Sequence, residues 1–141
     1  HNTAVGRLAS SANTTGSQNT SVGAEALQQN TADNNTAVGY QALEENTSGA
    51  QNTAIGVQAL DENTTANENT AVGYAALGAN TTGASNVALG SRSLKANTTA
   101  SKNIAVGYEA LGAATTGHDN NAIGYEAFDA NTTGIRNVAI G

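Results

Sequence analysis

The sequence predicts an all-β chain: a parallel β-roll, or β-solenoid, of 17-residue rungs stacked end to end. Three observations predict it. First, an Asn opening an Asn-x-Ala-Val-Gly-like block recurs at Asn2, Asn19, Asn35, Asn52, Asn69, Asn86, Asn103, Asn120 and Asn137, spaced 17, 16 and then 17 residues throughout. Fixed-period self-similarity of this kind marks a stacked repeat fold. Second, seventeen residues are too few for a helix pair but suit one coil of short strands and turns. Third, the composition is not that of a globular domain. The 141 residues include no Pro, Cys, Met or Trp, one Phe and four Tyr, too little bulky apolar material for a conventional close-packed core.

The chain is read as a single repeat domain, residues 1–141, with eight repeats starting at residues 2, 19, 35, 52, 69, 86, 103 and 120 and a partial ninth at 137. The pattern is already running at both ends, so a segment of a longer fibre is expected. The one 16-residue repeat lost its residue around positions 32–34, inside a turn, where a deletion disturbs least.

Each rung reads by column. Column one is Asn and column two is Thr until Val87, Ile104, Asn121 and Val138; column three is Ala, or Ser21 once. Column four is Val5, Val22, Val38, Ile55, Val72, Leu89, Val106, Ile123 and Ile140. These residues predict a strand with a β-branched residue at its key position. Column five is always Gly, which ends the strand and permits a tight bend. Column six is Tyr at Tyr40, Tyr74, Tyr108 and Tyr125, column eight is Ala except Ser93, and column nine is Leu or Phe128 from the second repeat onward. Tyr-x-Ala-Leu predicts a second strand. Helix is the rival there, favoured by Ala, Leu, Glu and Gln but only about two turns long. Asn-Thr-Thr-Gly then predicts a turn.

Equal spacing stacks equivalent residues, with rungs about 4.8 Å apart and a rod of roughly 40 Å. The constant Asn columns are expected to form amide ladders: Asn35, Asn52, Asn69, Asn86, Asn103 and Asn120, beside a structural ladder of Val38, Ile55, Val72, Leu89, Val106 and Ile123. Successive strand residues point to opposite faces, so a strand with Ala at column three and Val or Ile at column four has small or apolar residues on both. One roll has one interior. Two large apolar side chains per rung, worth about 1.5–3 kcal/mol each when buried, stand against about 1–2 kcal/mol per residue of backbone ordering. An obligate homo-oligomer is therefore expected.

Charge and chemistry exclude several classes. A formal net charge of −6 disfavours nucleic acid and anionic membrane as partners, and no apolar run reaches membrane-span length, so no direct membrane contact is expected of this segment. No cofactor, metal or catalytic site is expected. His118 falls in a turn where other repeats carry Ala, Ser or Ile, and His1 is terminal. Glu44 and Glu45 stacked on Asp61 and Glu62 are the sole calcium candidate, without an Asp-rich loop. The recurring Gly have no following Lys and make no phosphate loop. Sequons such as Asn63-Thr64-Thr65 arise from the repeat itself. Tyr40, Tyr74, Tyr108 and Tyr125 have two readings: a row of aromatic surfaces for a sugar or receptor, or a seal between subunits, the second being favoured.

The columns Asn-x-Ala-Val/Ile-Gly-x-x-Ala resemble the head repeats of trimeric autotransporter adhesins along the whole chain, most closely at Asn103-Ile104-Ala105-Val106-Gly107 and Asn137-Val138-Ala139-Ile140-Gly141. The resemblance implies a left-handed parallel β-roll, a homotrimer, and an extracellular place on a bacterial surface, binding host proteins or glycans. The family's unit is shorter, near fourteen residues, and Thr replaces its apolar second column in the first five repeats. Similar repeats occur in phage tail fibres. The expected function is thus a structural or adhesive fibre segment mediating attachment, with a phage-fibre shaft or receptor-binding segment as one alternative. An ice-binding solenoid is another. Against ice, no Thr-x-Thr pair recurs, and Glu45, Glu62 and Lys95 interrupt the rod.

Overall fold

Nine strands of three residues each run along one side of the rod in the computed structural model, which describes residues 1–141. They are β1 (Thr3–Val5), β2 (Thr20–Val22), β3 (Thr36–Val38), β4 (Thr53–Ile55), β5 (Thr70–Val72), β6 (Val87–Leu89), β7 (Ile104–Val106), β8 (Asn121–Ile123) and β9 (Val138–Ile140). Each strand pairs in parallel with the next, in sequence order, forming one nine-stranded sheet. Equivalent columns meet in register: Thr36 opposite Thr53, Ala37 opposite Ala54, Val38 opposite Ile55. The one-residue deletion leaves this register intact, since Thr20 still meets Thr36 and Val22 meets Val38. The shortened turn absorbs it. The chain is therefore a parallel β-solenoid of 17-residue turns with no helix.

The second strand is absent. Tyr-x-Ala-Leu is a turn in every rung, and neither the predicted strand nor its helical rival forms. Columns seven and nine adopt left-handed backbone, as at Gln41 (φ 56°) and Leu43 (φ 52°), Gln58 (57°) and Leu60 (53°). Alternating left-handed residues with ordinary ones turns the chain sharply while backbone groups still reach the adjacent rungs. The N–H of Gln58 donates to the Tyr40 carbonyl of the rung before at 2.9 Å, and the N–H of Leu60 donates to the Ala76 carbonyl of the rung after at 3.0 Å. Only 16 of the 92 backbone hydrogen bonds lie within the strands, so much of the rung-to-rung bonding runs through the turns. A non-Gly residue in this region costs about 1–2 kcal/mol. Stacking bonds and complete burial of the Leu hold it there.

Column-five Gly is required by conformation and by space together. Gly73 has φ +135°, and a Cβ there would stand 2.6 Å from both carbonyl atoms of Gly90 in the next rung. No side chain fits between rungs at that corner.

The interior is narrow and follows the columns. Ala of column three, Ala of column eight and Leu of column nine make one apolar cluster, including Ala54, Ala59, Leu60, Ala71, Ala76 and Leu77, all fully buried. Two neighbouring columns of Asn fill the rest, Asn35, Asn52 and Asn69 in one and Asn46, Asn63 and Asn80 in the other, the two amides of a rung meeting at one carbonyl, as Asn35 and Asn46 do at Gly49. The Ala of column three lies against the interior, where a larger side chain would overpack a roll this thin. Strand alternation then sends columns two and four outward.

Candidate functional surface and the asparagine interior

The interior Asn columns are structural, and each is wired differently. In column one, the Oδ1 of Asn35 accepts from the backbone N–H of Asn52 in the next rung at 2.9 Å. The Asn35 Nδ2 donates to the Gly49 carbonyl of its own rung at 2.8 Å, an acceptor it shares with Asn46 Nδ2. Asn52 repeats the pattern with Asn69 and Ala66. In the column that opens Asn-Thr-Thr-Gly, amide bonds amide: Asn46 Nδ2 donates to Asn30 Oδ1 at 2.6 Å, Asn63 to Asn46 at 2.7 Å, Asn80 to Asn63 at 3.0 Å and Asn97 to Asn80 at 2.8 Å. Asn63 and Asn80 also donate to the carbonyls of Ala66 and Gly83. Each carboxamide thereby spends both its donor and acceptor capacity inside, as buried polar groups must. The ladder stops where Ala114 replaces Asn. Asn97 Oδ1, in a fully buried residue, has no hydrogen-bond partner. Asn63 is itself wholly buried, so the sequon it opens offers no accessible amide in the folded rod.

The outer face of the sheet is a different surface. Val5, Val22, Val38, Ile55, Val72, Leu89, Val106, Ile123 and Ile140 stand in one straight column on it, paired rung to rung. Ile55 is 40% exposed, Leu89 37% and Ile123 45%. The ladder of Val38, Ile55, Val72, Leu89, Val106 and Ile123 expected from the sequence thus exists as a row, but on the outside. Column two flanks it with Thr3, Thr20, Thr36, Thr53 and Thr70, then Val87, Ile104, Asn121 and Val138. Neither column contains a charge. The stripe measures about 40 Å by 10 Å from the rung and residue spacings. That footprint of about 400 Å², before counting projecting side chains, is about half the roughly 800 Å² per partner of a standard interface.

The tyrosines extend the stripe past the glycine corner. Tyr40, Tyr74, Tyr108 and Tyr125 are all exposed. Tyr108 and Tyr125, in adjacent rungs, stack with ring centroids 5.3 Å apart and planes 15° from parallel. Tyr74 lies under the Arg92 guanidinium, 5.9 Å from its ring centroid. In the rungs of Tyr40, Tyr74 and Tyr108, column four is Val and half-covered; in the rungs of Val57 and Ser91 it is the larger Ile55 and Leu89, more exposed. Tyr at column six and a larger residue at column four thus alternate from the rung of Tyr40 to that of Tyr108, and the next rung breaks the pattern with Tyr125 beside Ile123.

The charged residues lie off the strands, some of them beside the tyrosine row, as Arg92 is. Glu109 pairs with Arg92 at 3.3 Å and Lys95 at 2.9 Å, and hydrogen bonds from Lys95 hold its carboxyl below the usual range. Asp61 sits half-buried beside Glu62 and under Glu44 and Glu45. Burial, and then those three carboxylates, push its pKa up to about 6. Its Oδ1 is buried without a partner. Glu44, Glu45, Asp61 and Glu62 do not converge on a common point: no three His, Cys, Asp or Glu are grouped to hold a metal ion. His118 pairs with the adjacent Asp119 at 2.9 Å on an exposed turn, which lowers the Asp119 pKa. Two open clefts, of about 290 and 440 Å³, form where Gly78-Ala79 and Gly112-Ala113 shorten the side chains around Lys95.

Sequence reasoning placed apolar residues on both strand faces but left open which column was inside. The residue size was the available signal: small Ala, or Ser21 once, at column three suits a thin interior, whereas column four tolerates Val, Ile and Leu. Comparison with protein-family models, with curated proteins and with solved structures finds no match.

Proposed function

We propose that the chain is a structural or adhesive fibre segment, in which copies associate side by side as a homotrimer through the outward stripe. The single observation that carries the reading is that stripe: two in-register columns without charge, over nine rungs, with Val, Ile and Leu exposed on the outer face of the sheet. A contiguous patch of this extent matches the largest patch of a typical monomer, and such patches are often functional. The best-fitting cover for a corrugation of about 4.8 Å period is a surface with the same period, and another copy of the rod supplies it. The repeat's resemblance to trimeric autotransporter adhesin heads supports three copies, a left-handed roll and an extracellular address; a phage fibre shaft would use the same assembly. Tyr40, Tyr74, Tyr108 and Tyr125 border the stripe and either seal the groove between copies or contact a host protein or glycan.

Sedimentation equilibrium tests the reading. The wild-type chain is expected as a trimer, and Ile55→Lys, which puts a charge in the middle of the stripe without touching the interior, is expected to disperse it. A monomer at all concentrations with an intact β-type circular dichroism spectrum refutes it.

One observation favours a second reading. Thr20, Thr36, Thr53 and Thr70 form an outward row at regular spacing beside column four, and Glu45, Glu62 and Lys95 lie off this sheet rather than interrupting it. A regular Thr-x-Val array is a geometry that ordered water can match. Thermal hysteresis by the monomeric chain would favour ice binding; its absence, with trimer formation, favours the fibre.

A further inference from the structure

The outward stripe is not uniform along the rod. In β1 to β5 its second column is Thr throughout, so each rung presents one hydroxyl beside one aliphatic side chain. From β6 the column turns apolar, with Val87, Ile104 and Val138, and only Asn121 stays polar. Column four enlarges over the same stretch. It is Val in four of the first five strands and Leu89, Val106, Ile123 and Ile140 in the last four. Ile104 is 40% exposed although it lies mid-sheet between Val87 and Asn121, so its projection is not an end effect. The stacked Tyr108 and Tyr125 widen the apolar surface beside these same rungs.

We infer that contact between copies is graded along the rod: rungs β6 to β9 are the tight end that anchors the assembly, and β1 to β5 form a weaker, separable end. This rests on the reading of the chain as a self-associating fibre. The occupant is a second copy of this chain, for three reasons. The stripe has no charge to pair with a charged partner. Its footprint is about half the share per partner of a standard interface, and the tyrosine row beside it adds to that. Its regular corrugation matches another rod. Burying an aliphatic side chain in place of a Thr strengthens association through added apolar area, while a Thr hydroxyl covered by a neighbour must find a new partner or lose its water. The Thr rungs therefore contribute less for the same area. A graded interface lets the threonine end splay without releasing the copies from one another.

The test uses full-length chains in sedimentation equilibrium, with circular dichroism to confirm the fold. The triple variant Val87→Thr/Ile104→Thr/Val138→Thr extends the Thr column of β1 to β5 through the rest of the rod. Those first five rungs show that the roll accepts Thr there. Its trimer is expected to weaken about 100-fold, near fivefold per substitution. The opposite variant, Thr20→Val/Thr36→Val/Thr53→Val, is expected to tighten it by a similar factor. If the first variant stays within threefold of wild type while Ile55→Lys disperses the trimer, the grading is overturned and the fibre reading stands. If the wild-type chain is monomeric, or shows thermal hysteresis as a monomer, the fibre reading falls and the grading with it.

Discussion

Replacing Ala114 by Asn is expected to stabilise the rod, and the expectation follows from the ladder geometry. Every interior amide from Asn46 to Asn97 donates to the Oδ1 of the rung before. At Ala114 the donor is missing, and Asn97 Oδ1 is left buried and unpaired. On the far side, Asn131 Nδ2 has only a long 3.4 Å contact to the Gly134 carbonyl. An Asn at 114 would donate to Asn97 and Gly117 and accept from Asn131. Each new bond is worth about 1 kcal/mol net, and satisfying a buried acceptor removes a penalty of similar size. Ordering the added side chain costs about 1 kcal/mol. The balance is about 2 kcal/mol of added stability, or roughly 6 °C in Tm for a chain of this size. The converse, Asn80→Ala, orphans Asn63 Oδ1 and removes two donors; it is expected to cost about 2–3 kcal/mol. The assay is thermal and urea unfolding followed by circular dichroism, at one chain concentration because association adds to apparent stability. If Ala114→Asn matches or falls below wild type and Asn80→Ala is tolerated within about 0.5 kcal/mol, the ladder does not hold the rungs together and the reasoning fails.

Three other outcomes follow from single sites. Gly73→Ala is expected to cost about 2–4 kcal/mol, because a Cβ there meets the Gly90 carbonyl at a φ of +135°; unfolding midpoints check it. Leu77→Ala empties a wholly buried position in a core only an Ala and a Leu wide, and is expected to cost about 2–4 kcal/mol by the same measurement. Asp61 favours its protonated form in the folded chain, with its pKa raised from 3.8 to about 6. Its contribution is therefore fully present below about pH 4 and lost as pH rises through about 6. Asp61→Asn should flatten this slope and raise stability at pH 7 by about 1 kcal/mol after allowing for solvent screening, read from urea midpoints at pH 4 and pH 7.

The second half of each rung escaped the sequence for a physical reason. Ala-Leu and the residue before it have no signature of left-handed backbone; Gln41 and Leu43 are ordinary residues that would prefer another conformation in isolation. They are held there by bonds to rungs 16 or 17 residues away and by burial of the Leu, interactions no local pattern contains. The first half was legible because its signals are local: a β-branched run closed by a Gly that only a bend requires.

The repeat period alone determined the parallel stacking, the register and the Asn columns, since identical residues at identical intervals must superpose once the coils stack. The tertiary structure decided which strand face is inside. Alternation says only that columns three and four oppose one another; the space beneath the strand, already filled by the buried Leu and Asn columns and left only for Ala or Ser, turned the Val and Ile column outward. The candidate functional surface is the consequence of that limit on space.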